Sequence, residues 1–343
     1  MKSKSNTKNR VLGLAFLVTA LFSAPVESAE LKKFTFMFPT DSVIQYHPFQ
    51  IAKELGYFAE EGLDVEFQNA GGSSSAIRQI LAGNGDAALP SPGAFLNAVA
   101  QGQDLRWVFS YQYANIFTLV TPADSGISSV ADLKGKKVGV SELSGGEVPL
   151  IRAVLRGAGL KEGVDVQLVP VGEGSALTVY ALQKGEVDAY SSSLFDVAAI
   201  GAKGIELNVI LPEEARDFPS NGIVVTAAVL EEKRDQIVGF ARAVRKGIIY
   251  AKENDEKAFE LAAKIAPEEF EDENYAKHAW AAAMVLKTPP QALADAPIGT
   301  HFKVGFQAYH DFLRQGSEEE GALPKDVDLS IALDSSLLEE INK

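Results

Sequence analysis

The sequence of 343 residues contains no cysteine. Disulfide bonds, thiol nucleophiles, cysteine-ligated zinc and iron–sulfur clusters are therefore excluded. Histidine is scarce as well, with four residues in the chain, and their spacing matches no metal-ligand motif. We accordingly predict neither a bound metal nor another cofactor.

Positive charge is also in short supply. Lys and Arg together number 32 against 46 Asp and Glu, so the formal net charge is −14. A chain this acidic is a poor binder of DNA, RNA or anionic membrane, whose phosphates attract basic proteins. The remaining composition, with 46% apolar residues, is typical of globular proteins. The chain is also long enough for two domains. We therefore expect a folded protein with no nucleic-acid partner.

Only the first 29 residues contain a long apolar run. Four basic residues precede an apolar stretch at 11–22, and small residues follow it up to Ala29, which is the pattern of a cleaved export signal. An apolar helix of this length rises about 18 Å, which is too short for a hydrocarbon core of about 30 Å. We predict a signal peptide at residues 1–29, a mature chain in the periplasm and no stable membrane insertion.

A repeat at an offset of 101 residues indicates the architecture. Residues 55–67 (LGYFAEEGLDVEF) align with residues 156–168 (RGAGLKEGVDVQL), and residues 81–87 (LAGNGDA) align with residues 183–189 (QKGEVDA) after a slip of one position. Each copy has the pattern β-α-β-α-β. Strands that alternate with helices predict a parallel sheet with right-handed crossovers. The sequence therefore predicts two α/β lobes built to one plan.

Two crossings of the chain are expected to join the lobes. Strand-like segments at 105–113 and 117–121 lie between the two copies, and a further segment at 221–226 returns the chain. From residue 231 onward the pattern is mainly helical and is punctuated by prolines. We predict a first part of lobe I at 30–118, lobe II with the hinge strands at 119–225, and a helical second part of lobe I at 226–343.

The loops at the carboxyl ends of the predicted strands are the candidate site. Ligands of open α/β sheets bind there, where loops lead into helix N-termini. Glycine permits close approach of the backbone, and a Ser hydroxyl either caps a helix or faces a ligand. The predicted ligand-binding residues are Thr40, Asp41, Tyr46, His47, Gly72, Ser73, Ser74, Ser91, Tyr113, Ser144, Gly145, Glu147, Glu173, Tyr190 and Ser192.

Several of these segments resemble the NMT1/THI5-like and SsuA/TauA-like solute-binding proteins. The resemblance is carried by residues 46–48 (YHP), 55–65 (LGYFAEEGLDV), 86–88 (DAA), 132–140 (DLKGKKVGV) and 185–189 (GEVDA). It implies a type II periplasmic-binding-protein fold, in which a two-strand hinge joins two α/β lobes, with a helical C-terminal segment. It also implies a monomeric binding component of an ABC importer, with an inner-membrane permease as partner and no chemistry on the ligand.

The resemblance does not identify the ligand, because members of the resembled family bind sulfonates, nitrate, bicarbonate, thiamine-pyrimidine precursors, riboflavin or aromatic acids. Helix N-termini favour an anion, but Asp41, Glu142, Glu147 and Glu173 fall in or beside the cleft loops, which contain no Arg or Lys. Bidentate capture of an anion by Arg is therefore not supported, whereas Tyr side chains suit stacking and cation–π contacts. We predict a nitrogen-bearing heterocycle, such as a thiamine-pyrimidine precursor, or an amine. A sulfonate or nitrate-type oxyanion is the alternative.

A pyrimidine-synthesising enzyme is the alternative to a binding protein. Some pyrimidine synthases of the resembled family need a Cys-rich iron motif, and this chain has no Cys. The serines of the cleft loops have no evident His and Asp partners and no G-x-S-x-G elbow. We therefore predict no catalytic residues and no enzymatic activity. A ligand sensor of the same fold is a further alternative.

Overall fold

The structure is a computed structural model that describes Met1, residues 30–315 and residues 322–343. Apart from Met1, the predicted signal peptide lies outside the described residues. The described residues from 31 onward belong to one compact unit. Among the helices of the described ranges, none has both the length and the apolar character that a membrane span requires.

The first part of the chain forms most of one sheet. β1 is apolar and largely buried, and it lies between β2 and β3 in parallel pairing. The elements, in chain order, are β1 (Lys32–Phe38), α1 (Val43–Glu54), α2 (Tyr57–Glu60), β2 (Leu63–Asn69), α3 (Ser73–Leu81), β3 (Ala87–Ala88), α4 (Pro92–Ala100) and β4 (Leu105–Ser110). With β10 (Gly222–Thr226), they give the strand order β2-β1-β3-β10-β4. We call this sheet with helices α1–α4 lobe I.

The middle of the chain forms a second sheet of the same design. Its elements are β5 (Phe117–Pro122), β6 (Lys136–Val140), α5 (Val148–Gly157), β7 (Val166–Pro170), α6 (Ala176–Gln183), β8 (Ala189–Ser193), α7 (Leu194–Ala202) and β9 (Leu207–Val209). The strand order is β7-β6-β8-β5-β9. We call this sheet with helices α5–α7 lobe II.

The two sheets match strand by strand, as the repeat predicts. β1, β2 and β3 correspond to β6, β7 and β8, and each triplet is parallel. The predicted parallel pairing is confirmed for these triplets, whereas β10 and β5, to which the sequence assigned no direction, run antiparallel to their neighbours. Each of these two strands enters its sheet from a crossing between the lobes, so its direction is not set by a βαβ connection.

The chain crosses between the sheets twice, in segments 111–116 and 210–221. The crossings lie side by side, since the amides of Tyr111 and Gln112 donate to the carbonyl of Asn221 at 3.1 and 2.9 Å. The amide of Ser220 donates back to the carbonyl of Gln112 at 3.2 Å. A paired double crossing of this kind is the expected position of a hinge.

The C-terminal part is helical, as predicted. It comprises α8 (Ala227–Glu232), α9 (Arg234–Glu253), α10 (Asp255–Ile265), α11 (Glu273–Leu286), α12 (Lys303–Arg314), α13 (Leu329–Ala332) and α14 (Leu338–Ile341). Helix α9 covers the first sheet, where Phe240 packs on Phe34 and Phe36 with ring centroids 4.7 and 4.6 Å apart. Helix α11 contacts α7, and α12 contacts both α4 and α5. These helices therefore touch both lobes, and the assignment of residues 226–343 to lobe I stays a prediction.

Candidate functional site

A cavity of about 180 Å³ lies between lobe I and lobe II. Its walls are the loops that follow β1, β2, β6, β7 and β8, together with the crossing segments and the turn between α10 and α11. Because parallel strands point their carboxyl ends to one edge of a sheet, both lobes present their helix-starting loops to this cavity. The geometry is that of a ligand site shared by two halves.

The walls of this cavity are acidic. Five of the lining side chains are carboxylates, and none of the described lining residues is Lys, Arg or His. The five are Asp41, Glu147, Glu173, Asp196 and Glu269. A carboxylate removed from water without a cation is costly, so the site is electrostatically incomplete on its own.

Glu147 is the most deeply placed of these carboxylates. It stands directly before α5 and is 2% exposed. Its Oε1 accepts hydrogen bonds from the amide of Ser141 at 2.9 Å and from the Ser141 hydroxyl at 2.5 Å. Burial raises the pKa of the Glu147 carboxyl to about 7, and the hydrogen bonds from Ser141 oppose that rise. A ligand cation would supply the counter-charge that this group lacks.

Asp196 and Glu173 form a second acidic group in lobe II. Asp196 accepts from the hydroxyls of Ser192 and Ser193, both at 2.6 Å, and forms the capping box of α7 with Ser193. Burial raises the pKa of Asp196 above its ordinary value. Partial burial raises the pKa of Glu173 to about 7, and the carboxylates of Asp196 and Glu142 add to the rise. Mutual repulsion therefore also favours a cation at this wall.

Lobe I and the C-terminal segment supply the other two carboxylates. Asp41 is exposed in the loop after β1. Glu269 lies in a 3₁₀ turn at Pro267–Phe270 and accepts from the amides of Val43 and Ile44 at 2.6 and 3.0 Å. The hydroxyl of Ser42 also donates to Glu269 at 3.0 Å. The Glu269 carboxylate thus caps α1 by accepting hydrogen bonds from the donors at its N-terminus.

Aromatic rings complete the walls. Tyr46, Phe117, Phe195 and Tyr275 line the cavity. Tyr46 stacks on Phe38 at 4.6 Å between ring centroids, which fixes its ring. Burial raises the pKa of both tyrosines above the ordinary value, so their phenols stay neutral. Such walls offer stacking surfaces and ring faces to a planar or cationic ligand.

The two lobes also touch directly beside the cavity. The amide of Ser74 donates to the carbonyl of Ser144 at 3.1 Å, and the Ser144 hydroxyl donates to the carbonyl of Gly71 at 2.8 Å. The Ser91 hydroxyl donates to the carbonyl of Gly146 at 3.0 Å. These bonds join the α3 and α4 starts of lobe I to the β6–α5 loop of lobe II, which is the arrangement of a closed cleft.

Nine of the fifteen predicted residues line the cavity. They come from both lobes and lie in the loops where the repeat places them. The nine are Thr40, Asp41, Tyr46, Gly72, Ser73, Gly145, Glu147, Glu173 and Ser192. Their part in ligand binding stays a prediction.

The other six predicted residues lie outside the lining. Ser74, Ser91 and Ser144 form the contacts between the lobes described above. His47 is buried and stacks on Trp280 at 4.0 Å between ring centroids. The hydroxyls of the buried Tyr113 and Tyr190 bond to backbone groups of the 299 region and of the β7–α6 loop.

Eight lining residues lie outside the loops that sequence reasoning selected: Gln45, Ile116, Phe117, Phe195, Asp196, Asn221, Glu269 and Tyr275. The Ser-x-x-Asp spacing of Ser193 and Asp196 is a capping-box signal that could have located Asp196. For Glu269 and Tyr275 the sequence carries no local signal, because they reach the site through packing of the C-terminal helices. Across the described residues, no group of three or more His, Cys, Asp or Glu is arranged to hold a metal ion.

The fold and the cavity define a class: two-lobed proteins of the periplasmic-binding-protein fold that enclose a small solute. The model of the family described as NMT1/THI5 like matches residues 44–258. The chain therefore belongs to the NMT1/THI5-like family.

Three relatives illustrate how this chain compares. The riboflavin-binding protein RibY of Chloroflexus aurantiacus is 24% identical over 250 residues, which are 72% of this chain and 70% of that protein. A solved structure from Bordetella bronchiseptica has a TM-score of 0.76 at 22% identity, covering 91% of this chain and 98% of that one. The alkanesulfonate-binding protein SsuA of Xanthomonas axonopodis, bound to MOPS, has a TM-score of 0.68 at 16% identity, covering 90% and 100%.

These comparisons confirm the predicted fold and the predicted family. They also confirm a solute-binding protein of the ABC-importer type rather than an enzyme, since the family and the structural neighbours are binding proteins. The names of the relatives mention chemically different ligands, riboflavin and alkanesulfonates. The ligand of this chain therefore has to be argued from its own cavity.

Proposed function

We propose that this chain is a periplasmic receptor for a small nitrogen-bearing cation, either an amine or a single-ring heterocycle such as a thiamine-pyrimidine precursor, which it delivers to an ABC permease. The observation that carries the proposal is the charge of the cavity wall. Five carboxylates line it, with no Lys, Arg or His among the described lining residues. A bound cation would neutralise carboxylates whose burial is otherwise unfavourable.

Glu147, the most deeply buried carboxyl of the cavity wall, also favours a positively charged ligand. Glu147 is 2% exposed, and its carboxyl has a pKa raised to about 7 by burial. An opposite charge within about 4–6 Å stabilises the ionised form of such a group. A ligand ammonium or a protonated ring nitrogen meets this requirement, and a hydrogen-bond donor on a neutral ring meets it in part.

The size of the cavity narrows the ligand further. About 180 Å³ is below the roughly 300–1,000 Å³ of pockets that enclose drug-sized molecules. A single aromatic ring between Tyr46 and the phenylalanines is consistent with this volume. A three-ring ligand such as riboflavin would require a more open cleft.

An oxyanion is the second candidate, because SsuA of Xanthomonas axonopodis is a structural neighbour and helix starts face the cavity. Two features oppose it. The described wall provides no cationic side chain for a sulfonate, and the start of α1 is already occupied by Glu269. Charge repulsion from five carboxylates would weaken anion binding further.

A thermal-shift screen of the mature protein tests the proposal. The panel contains alkylamines, diamines, aminopyrimidines, riboflavin, alkanesulfonates and nitrate, at equal ionic strength and pH 8. A ligand that binds the native state raises the melting temperature with concentration. We expect the largest shifts from amines or aminopyrimidines. A shift confined to sulfonates or nitrate would contradict the proposed ligand while leaving the binding-protein assignment intact.

A further inference from the structure

The start of α1 presents three hydrogen-bond donors at the cavity wall. The amides of Val43 and Ile44 and the hydroxyl of Ser42 converge on one point, where the carboxylate of Glu269 accepts all three at 2.6–3.0 Å. Ser42 and Glu269 both line the cavity. A carboxylate from a residue more than 220 positions away in the sequence therefore fills a donor cluster at the edge of the ligand space, where Ser42 and Glu269 line the cavity.

Converging N–H and O–H donors at a helix start form a favourable place for an anion. Helix α1 is kinked at Tyr46, before Pro48, so the local donors of the first turn provide the attraction rather than the dipole of the whole helix. The first turn contains no acidic residue of its own. Without Glu269 these donors would be open to an oxygen-rich anion in the cleft.

Packing of the turn that contains Glu269 against α10 supports the position of this residue. It lies in the 3₁₀ turn Pro267–Phe270 between α10 and α11. Phe270 in the same turn packs edge-on against Phe259 of α10, with 5.0 Å between ring centroids. This packing supports the position of the Glu269 carboxylate at the helix start.

We propose that Glu269 is a specificity-determining residue, an internal carboxylate that occupies the anion-binding start of α1 and so excludes oxyanion solutes from the cleft. The inference rests on the proposed function, in which the cleft takes a cation. It adds a mechanism for rejecting the other ligand class, because an entering sulfonate would have to displace a carboxylate held by three donors and would face its charge.

The test compares Glu269→Ala with Glu268→Ala, which removes an exposed carboxylate from the neighbouring position of the same turn. The probe is methanesulfonate, with sodium chloride as the reference at equal ionic strength. The measurement is made at pH 6, because the carboxyls of Glu147 and Glu173, with pKa values of about 7, are then mostly neutral and repel the probe less. Melting temperature and calorimetric affinity are the two readouts.

We expect Glu269→Ala to melt at a lower temperature than the wild type and to regain stability with methanesulfonate in a saturable way. Its affinity for methanesulfonate should exceed that of the wild type and of Glu268→Ala by at least about tenfold. A cap with no role in specificity would lower the melting temperature without any gain of anion binding, and that result would overturn the proposal. Wild-type protein that binds methanesulfonate as tightly as Glu269→Ala would overturn it as well.

Near-ultraviolet circular dichroism shows whether Glu269→Ala is folded. If it is not, Glu269→Ser keeps one acceptor for the helix start while opening the same space, and the same gain is expected. The two proposals fail separately in these experiments. Amine binding by the wild type without anion gain in the variants would remove only the role of Glu269, whereas anion gain without amine binding would remove only the proposed ligand.

Discussion

Helices α1 and α5 occupy equivalent places in the two repeats, and at each start a carboxylate faces the cavity. At α1, Glu269 comes from the C-terminal segment and accepts three hydrogen bonds from the helix start. At α5, Glu147 comes from the preceding loop, accepts from Ser141, and has a pKa raised to about 7 by burial. The first charge is satisfied within the protein, whereas the second still requires a partner. On the proposals made above, the carboxylate of Glu269 rejects anions and that of Glu147 recruits a cation.

The largest expected effect concerns Glu147. Glu147→Gln keeps the size and the acceptor oxygen for Ser141 but removes the charge that a ligand cation would pair with. We expect the affinity for the ligand found in the screen to fall roughly 100-fold, because loss of one partner from a buried charge pair costs about 2–5 kcal/mol. Isothermal titration calorimetry measures it.

Glu186→Gln, an exposed acidic position of lobe II outside the cavity lining, is the matched control and should bind normally. Unchanged affinity in Glu147→Gln would show that the two helix starts do not differ in the way proposed.

The next effect is the pH dependence of ligand binding. A carboxyl with a pKa of about 7 is about one-tenth ionised at pH 6 and mostly ionised at pH 8. Affinity for a ligand that stays cationic over this range should therefore rise about tenfold from pH 6 to pH 8. Glu147→Gln should reduce this rise in the same calorimetric series, and the rise that remains should come from Glu173, whose pKa is also about 7. Affinity that falls as the pH rises would contradict the role of Glu147.

A smaller effect is expected where the loop before α5 meets lobe I. A Cβ at Gly146 would lie 2.6 Å from Cζ of Phe117 and 2.7 Å from Oγ of Ser73. Gly146→Ala should therefore hinder closure and weaken ligand affinity about fivefold, since overpacking costs about 1 kcal/mol or more.

Gly157→Ala, at the other end of α5, is the control. Its nearest neighbour would be Oε1 of Gln315 at 3.9 Å, so closure is undisturbed. Small-angle scattering with saturating ligand should give a larger radius of gyration for Gly146→Ala than for the control. Equal radii and equal affinities would disprove the importance of this contact.

The smallest effect is one of stability, and its sign distinguishes the two carboxylates. The pKa of Glu147 is raised from 4.5 to about 7, so the folded state binds more protons than the unfolded state between these values. The contribution of this group to the free energy of unfolding therefore falls as pH rises through that window. Glu147→Gln should be more stable than the wild type at pH 8 in the absence of ligand.

Glu269→Gln should be less stable at pH 8, by about 1 kcal/mol, because it loses the charged acceptor at a helix start. Urea denaturation of both variants measures the difference. A stability change of the same sign in both variants would contradict the comparison.

Much of the architecture could be predicted because it depends on local patterns. The common plan of the two sheets follows from the repeat, and the helical C-terminal part follows from the pattern after residue 231. The strand direction of β5 and β10 could not be predicted, since it depends on where the crossings enter each sheet. The helical pattern did not indicate the break at Lys233 that separates α8 from α9.

The candidate site, like the fold, has features that the sequence predicts and features that it does not. The loops after the strands were predictable, and nine of the fifteen residues predicted there line the cavity. The direction of a side chain could not be predicted. Tyr190 is an example, because its hydroxyl donates to a backbone carbonyl of its own lobe instead of facing the cavity. Glu269 and Tyr275 reach the cavity through tertiary packing of the C-terminal helices, which no periodic pattern near them encodes.

Calorimetric titration at pH 8 with pairs of ligands that share one carbon skeleton, an amine and the corresponding sulfonate, tests the charge preference of the cleft most directly. The acidic wall predicts that the amine of the best-binding pair binds at least about 100-fold more tightly than the sulfonate. A sulfonate that binds as tightly as its amine, or more tightly, would contradict the assignment of this cleft to a cation.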